Sequence, residues 1–192
     1  MSRLASHYSK CKTAFLTVDL QLAFMNRISN FSNCVFVSNR MASFHAILPQ
    51  QTKFIATEQY PKGLGHSVNE LIIPQDGYVV EKSKFSCIVP DVAKHITDVD
   101  TVTVLGIEGH VCVLQTVSDL LDLKKRVFVL VDGVGSQKEM DLKMALDLMR
   151  TWGPNCVLTT SESFILQMIK DASDEEFKKV SKLLRDPHPV PI

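Results

Sequence analysis

Short apolar runs alternate along the chain with longer stretches of helical spacing. Ala14-Phe-Leu-Thr-Val18 is the first run and ends in Asp19. Val35 to Leu48 then repeats apolar residues at helical intervals and is closed by Pro49. Lys53-Phe-Ile-Ala-Thr57 and Tyr78-Val-Val80 are the next extended runs, separated by the Gly- and Pro-dense segment Glu58-Gln-Tyr-Pro-Lys-Gly-Leu-Gly65. A short helix is expected over Asp91 to Ile96. Thr101-Val-Thr-Val-Leu105 is β-branched and uncharged, the pattern of a strand buried on both faces. After it, Val113, Thr116, Val117, Leu120 and Leu121 fall on one helical face. Arg126 to Val131 is a fifth strand ending in Asp132-Gly133, and Cys156-Val-Leu158 a sixth. Helices are expected from a Ser136/Glu139 capping box through Met149, over Glu162 to Ile169, and from a Ser173/Glu176 capping box to before Pro187.

Six strands alternating with helices predict a three-layer α/β/α fold around a six-stranded parallel sheet, Rossmann-like in the order 3-2-1-4-5-6. Residues 1–192 read as a single domain, with residues 1–12 as a flexible terminus and residues 186–192 as an extended Pro-rich tail lying on the surface or on a neighbour. In such sheets ligands bind outside the carboxyl ends of the strands. Asp19, Lys82 and Cys112 all fall on that rim. Strands one and four are neighbours in this order, which brings Asp19 close to Cys112; Lys82 follows strand three and must bridge the gap with its long side chain.

Composition narrows the function classes. Lys plus Arg and Asp plus Glu number 21 each, so no global field attracts nucleic acid or an acidic membrane. No run reaches the length of a membrane span, and no secretory apolar region opens the chain. The first dozen residues carry Arg, Ser and Lys without an acid, a composition shared by organellar presequences and plain solvated termini. The five cysteines are odd in number and widely spaced, which argues for a reducing compartment rather than a disulfide scaffold or zinc site. Cys112 differs from the other four in its setting, between Gly106, Gly109 and the start of a helix. There the helix dipole and unpaired N–H groups are expected to lower its pKa and to hold an oxyanion. The alternative for Cys112 is a buried thiol acting as a small hydrophobe. Asp19 alone could be a turn former, and Lys82 alone a solvated charge.

Asp19-Leu-Gln21, Lys82-x-x-Phe85-Ser86 and Gly106-Ile-Glu-Gly-His-Val-Cys112 together resemble the three signature segments of the isochorismatase-like cysteine hydrolases. The resemblance spans about Thr13 to Gln167. It is strongest to the isochorismatase domain-containing proteins, through Thr57-Glu-Gln-Tyr-Pro-Lys-Gly-Leu-Gly65 and Leu120-Leu-Asp122. It implies Cys112 as nucleophile, Asp19 as general base and Lys82 as third member of a triad, with Lys84 a decoy two residues on. It also implies a cis peptide before Glu108 and an oxyanion hole from the Glu108 and Cys112 amides. Gln21, Phe24, Gln59, Tyr60 and His110 are the expected substrate contacts. Nicotinamidases of this superfamily carry metal-binding histidines after strand two. Here that place reads Thr57-Glu-Gln-Tyr, so neither a metal nor another cofactor is expected.

The resulting expectation is a metal-independent hydrolase of a small amide or related carbonyl compound, working through a thioester. A binding or scaffold protein with a vestigial pocket is the alternative, and RNA processing a third reading that lacks a basic stripe or stacking motif. A homo-oligomer built on a two-fold dimer is expected, without membrane or nucleic-acid partners. Its expected location is the cytoplasm, with mitochondria as the alternative.

Overall fold

The computed structural model describes residues 12–191. Six parallel strands form one sheet in the order β3-β2-β1-β4-β5-β6, the order expected from the sequence. The strands are β1 (Thr13–Val18), β2 (Thr52–Gln59), β3 (Tyr78–Lys82), β4 (Thr101–Gly106), β5 (Arg126–Val134) and β6 (Cys156–Thr159). The helices are α1 (Phe31–Ile47), α2 (Pro61–Leu64), α3 (Pro90–Ala93), α4 (Leu114–Asp122), α5 (Glu139–Arg150), α6 (Ser161–Ile169) and α7 (Phe177–Leu183).

Alternation along the strands builds two apolar layers. Ala14, Leu16 and Val18 of β1, with Val102 and Val104 of β4, face α3, α4 and α5. Phe15, Phe54, Leu105 and Phe128 point the other way, onto α1, α6 and α7. The ring of Phe15 stacks on Phe44 of α1 and meets Phe164 of α6 edge-on. Each such ring, fully buried, contributes about 1.5–3 kcal/mol of transfer free energy.

Several elements extend beyond their apolar runs. α1 starts at Phe31, four residues before the periodic stretch, because Phe31 and Cys34 cover a third cluster with Leu20, Ile28 and Ile107. β3 continues through Lys82, so the lysine is the last residue of a strand and not of the following loop. Neither expected capping box forms. α5 begins after Lys138 without a side-chain cap, and the Ser136 hydroxyl instead lies 3.0 Å from His110 Nδ1. α7 begins after Glu176, and the Ser173 hydroxyl donates to Asp171 instead.

Most of the expected flexible N-terminal segment lies outside the described residues; its last member, Lys12, ion-pairs with Asp98 at 2.8 Å. The tail returns to its own chain. Val190 exchanges two hydrogen bonds with the Asn33 side chain, and His188 packs on the Phe36 ring.

Candidate active site

The site grows from the register of the central strands. β1 lies between β2 and β4, with Val18 opposite both Thr57 and Gly106. The next residue, just past β1, is Asp19, whose φ of 53° lies in the left-handed region. A short polar side chain tolerates that region better than most. Gly106 makes the close approach feasible. Its φ is 114°, and a Cβ there would sit 2.2 Å from the Val18 carbonyl oxygen.

Asp19 and Lys82 form an ion pair at 2.7 Å, with side chains only 2% and 0% exposed. The Lys82 ammonium also donates to Gln59 Oε1 at 2.7 Å and to the Phe85 and Lys84 carbonyls at 3.1 and 3.3 Å. Four oxygen acceptors thus replace the water lost on burial. Burial works against the charge on Lys82, but the charges that Cys87, Asp19 and Cys112 carry at the high pH where the amine titrates outweigh that cost and raise its pKa. Lys84 points away, pairing with Asp119 of α4 at the surface.

Cys112 sits in a π-helical turn, Gly109–Val113, that leads directly into α4. The Ile107–Glu108 peptide just before it is cis. The wider turn is closed by the Val113 N–H donating to the Glu108 carbonyl at 3.1 Å. A Cβ on Gly109 would lie 2.5 Å from Leu142 of α5, so glycine lets this turn press against that helix. The Cys112 thiol lies within electrostatic reach of the Asp19 carboxylate. Its pKa is raised, first by burial and then by the Asp19 charge, with Lys82 pulling the other way. The expectation of a lowered pKa is therefore corrected. Removal from water and an adjacent carboxylate outweigh whatever the turn's dipole supplies, and the resting sulfur keeps its proton.

The other expected residues divide between the ion pair, the loops and the surface. Gln59 touches Lys82 directly, and its Nε2 donates to the Ser83 carbonyl. Gln21 is fully buried, with its amide committed to backbone. It accepts from the Gln59 N–H and donates to the Gln59 and Gly65 carbonyls, tying the loops after β1 and β2 together. Phe24 packs beside the cluster of Leu20, Ile28 and Ile107. Tyr60, with φ of 39°, is 58% exposed and lies over Gly63, where a Cβ would meet its ring at 2.6 Å. His110 Nδ1 lies 3.0 Å from the Ser136 hydroxyl, with Glu108 at 3.6 Å and Asp141 at 3.9 Å. The Glu108 carboxylate accepts from the Gln137 side chain and backbone. Glu58 near the end of β2 and His66 beyond it pair with each other at 2.8 Å, and Glu58 also accepts from Ser67. That arrangement clamps the loop.

Four contacts around these residues are not visible in the sequence. Thr57 donates its hydroxyl to Asp19 Oδ1 at 2.7 Å and lies 3.3 Å from the Cys87 sulfur. Thr116 accepts from the Cys87 N–H and donates to the Cys112 carbonyl. The usable signal for Thr57 was the strand order itself, since a polar residue closing strand two must lie beside the end of strand one.

Residues 13–163 match the isochorismatase domain family. Isochorismatase domain-containing protein 2A of Mus musculus is 38% identical over 174 residues, covering 89% of this chain and 82% of its own length. Isochorismatase domain-containing protein 1 of Salmo salar is 34% identical over 176 residues, covering 90% of this chain but 61% of its own length. The chain thus spans about three fifths of that relative. Among solved structures, a protein described as a putative MAR1 ribonuclease from Leishmania major superposes with a TM-score of 0.97 at 59% identity, with 100% of both chains covered. The chain belongs to the isochorismatase family.

Proposed function

We propose that the chain is a metal-independent cysteine hydrolase acting on a small amide or related carbonyl compound. The observation that carries this reading is a buried Asp19–Lys82 ion pair within electrostatic reach of Cys112, a residue 7% exposed. Because the resting thiol is protonated, attack and proton transfer go together. Cys112 Sγ bonds to the carbonyl carbon as its proton passes to Asp19. The resulting oxyanion is held by the Glu108 and Cys112 amide N–H groups. Collapse breaks the C–N bond, and the amine leaves with the proton from Asp19. Water then adds to the thioester, giving its proton to Asp19, and the acid product departs as that proton returns to sulfur. Lys82 keeps its charge throughout and holds the carboxylate in place.

A panel of small primary amides and carbamoyl compounds tests this directly, with ammonia release as the readout. Turnover by the native chain and none by a normally folded Cys112→Ala variant is the expected result; full turnover by that variant overturns the reading. Cleavage of RNA is a second reading, favoured by the description attached to the Leishmania relative at 59% identity. RNA cleavage that survives Cys112→Ala would decide for it. Leu22, Tyr60 and Phe85, each at least half exposed on the segments that follow β1, β2 and β3, support a homo-oligomer whose subunits cover this rim. A native mass equal to one chain at micromolar concentration would contradict that assembly. Cytoplasmic residence, with mitochondria as the alternative, completes the proposal and is read by cell fractionation.

A further inference from the structure

Asp19 has two carboxylate oxygens, and each has a partner of a different kind. Lys82 takes Oδ2 and the Thr57 hydroxyl takes Oδ1, both at 2.7 Å. Thr57 is itself 1% exposed, and the wholly buried Cys87 lies against the same hydroxyl at 3.3 Å. The direction of these bonds follows from proton counting. A carboxylate paired to an ammonium has no proton to offer, so Thr57 donates its single hydrogen to Asp19. The Cys87 thiol must then be the donor to Thr57. Burial, aided by the Asp19 charge, pushes that thiol up to about 11, so it carries its proton near neutrality.

The chain of donors therefore runs from the Cys87 S–H to the Thr57 oxygen and from the Thr57 O–H to Asp19. Cys87 is held in turn by its N–H donating to Thr116, whose hydroxyl donates to the Cys112 carbonyl. The same buried network thus touches the base on one side and the nucleophile's own turn on the other.

Resting on the hydrolase reading above, we infer that Thr57 is a positioning residue, holding one Asp19 oxygen so that the carboxylate presents a fixed face to the Cys112 proton. Thr57 touches no reacting atom. It acts through Asp19, and it is the hydroxyl, not the residue's volume, that does so.

The test measures carbamidomethylation of Cys112 by iodoacetamide at pH 7.5 in the full chain. Sulfur displaces iodide in this reaction and its proton passes to Asp19, so no natural substrate is required. Peptide mass spectrometry resolves Cys112 from the other cysteines, and thermal unfolding confirms that each variant is folded. Thr57→Val removes the hydroxyl at nearly constant volume and is expected to slow labelling about tenfold. Thr57→Ser restores the donor and is expected to stay within about twofold of the native rate. On an Asp19→Asn background, Thr57→Val is expected to add nothing, because its effect passes through that carboxylate. Thr57→Ala serves the same purpose should the valine variant not fold. An unchanged rate in Thr57→Val overturns the inference, as does equal slowing by Val and Ser, or an equal Val effect on both backgrounds. If native Cys112 labels no faster than Cys34, Cys87 and Cys156, the nucleophile reading falls and this inference falls with it.

Discussion

Two buried aspartates sit toward the carboxyl ends of strands in this sheet, and they are used differently. Asp19, just beyond β1, is held by Lys82 and Thr57 and lies within electrostatic reach of the Cys112 thiol. Asp132, in β5, accepts from the Ser161 N–H and hydroxyl at 2.8 and 2.6 Å and from His188 at 3.3 Å. Arg40 supports this second cluster through Ser161 rather than by touching the acid. Both acids are at most 4% exposed. Burial and charge alone therefore do not mark a reactive site. What separates the two is the neighbouring sulfur: Cys112 beside Asp19 keeps some access to solvent, whereas Cys34 beside Asp132 has none. The second cluster joins β5, α6 and the tail, and its donors all belong to segments that must be held together.

The largest expected contrast is in reactivity. Asp19→Asn keeps the shape of the side chain but cannot take the thiol proton. It is expected to lower amide turnover, or Cys112 alkylation, by about 100-fold or more. Asp132→Asn keeps both rates within about twofold. Equal losses from the two variants would break the distinction between a reacting and a fastening acid.

Stability sharpens it from the other side. Lys82→Met leaves the Asp19 charge buried without its counter-ion and is expected to cost about 3–5 kcal/mol. Arg40→Met removes bonds to neutral acceptors, the Ser161 hydroxyl and the Asp186 carbonyl, and is expected to cost about 1–2 kcal/mol. Urea unfolding of the two variants gives the comparison. A Lys82→Met loss no larger than that of Arg40→Met would mean that the Asp19 charge is relieved some other way.

These differences explain what could be read from the chain alone. Strand order was legible because each strand carries its own apolar run, and order placed Asp19 beside Cys112. Lys82 was legible through its spacing to Phe85 and Ser86. The Asp132–His188 contact was not, because it joins residues 56 apart through a tail with no periodic pattern. Hydroxyls were the weakest point. Ser136 and Ser173 looked like helix caps, yet His110 and Asp171 claim them, while Thr57 read only as the end of a strand. The Cys112 pKa was misjudged for a related reason: local sequence shows the turn but not the carboxylate that the sheet brings beside it.

Cys34 and Cys87, both wholly buried, offer a matched titration. Cys34 is pushed up to about 12, chiefly by burial and then by the Asp132 charge; Cys87 is pushed up to about 11, chiefly by burial and then by Asp19. Each holds its proton in the native state at pH values where the unfolded thiol, near 9, has lost it. Their contribution is complete below pH 9 and declines as pH rises from about 9 toward 11 or 12. The slope approaches about 1.4 kcal/mol per pH unit for each thiol. Urea midpoints between pH 8 and 11 should fall less steeply in Cys34→Ala and in Cys87→Ala than in the native chain. Parallel curves for native and variant would mean that the thiol in question ionises in place.

The smallest expected effect isolates the tail. His188 approaches Asp132 at 3.3 Å, longer than the two bonds from Ser161, and its ring packs on Phe36 with centroids 5.1 Å apart. Asp132 therefore keeps its two shorter donors when the imidazole is removed, and no charge is stranded. His188→Ala is expected to cost about 1 kcal/mol, the scale of one long hydrogen bond and a modest ring contact. Removing residues 187–192 should cost more, because the two bonds between Val190 and Asn33 go as well. Neither change should alter Cys112 alkylation, since the tail reaches the fastening acid and not the reacting one. A slower alkylation in His188→Ala, at unchanged stability, would show that the two clusters communicate through β5 and would join what the contacts keep apart.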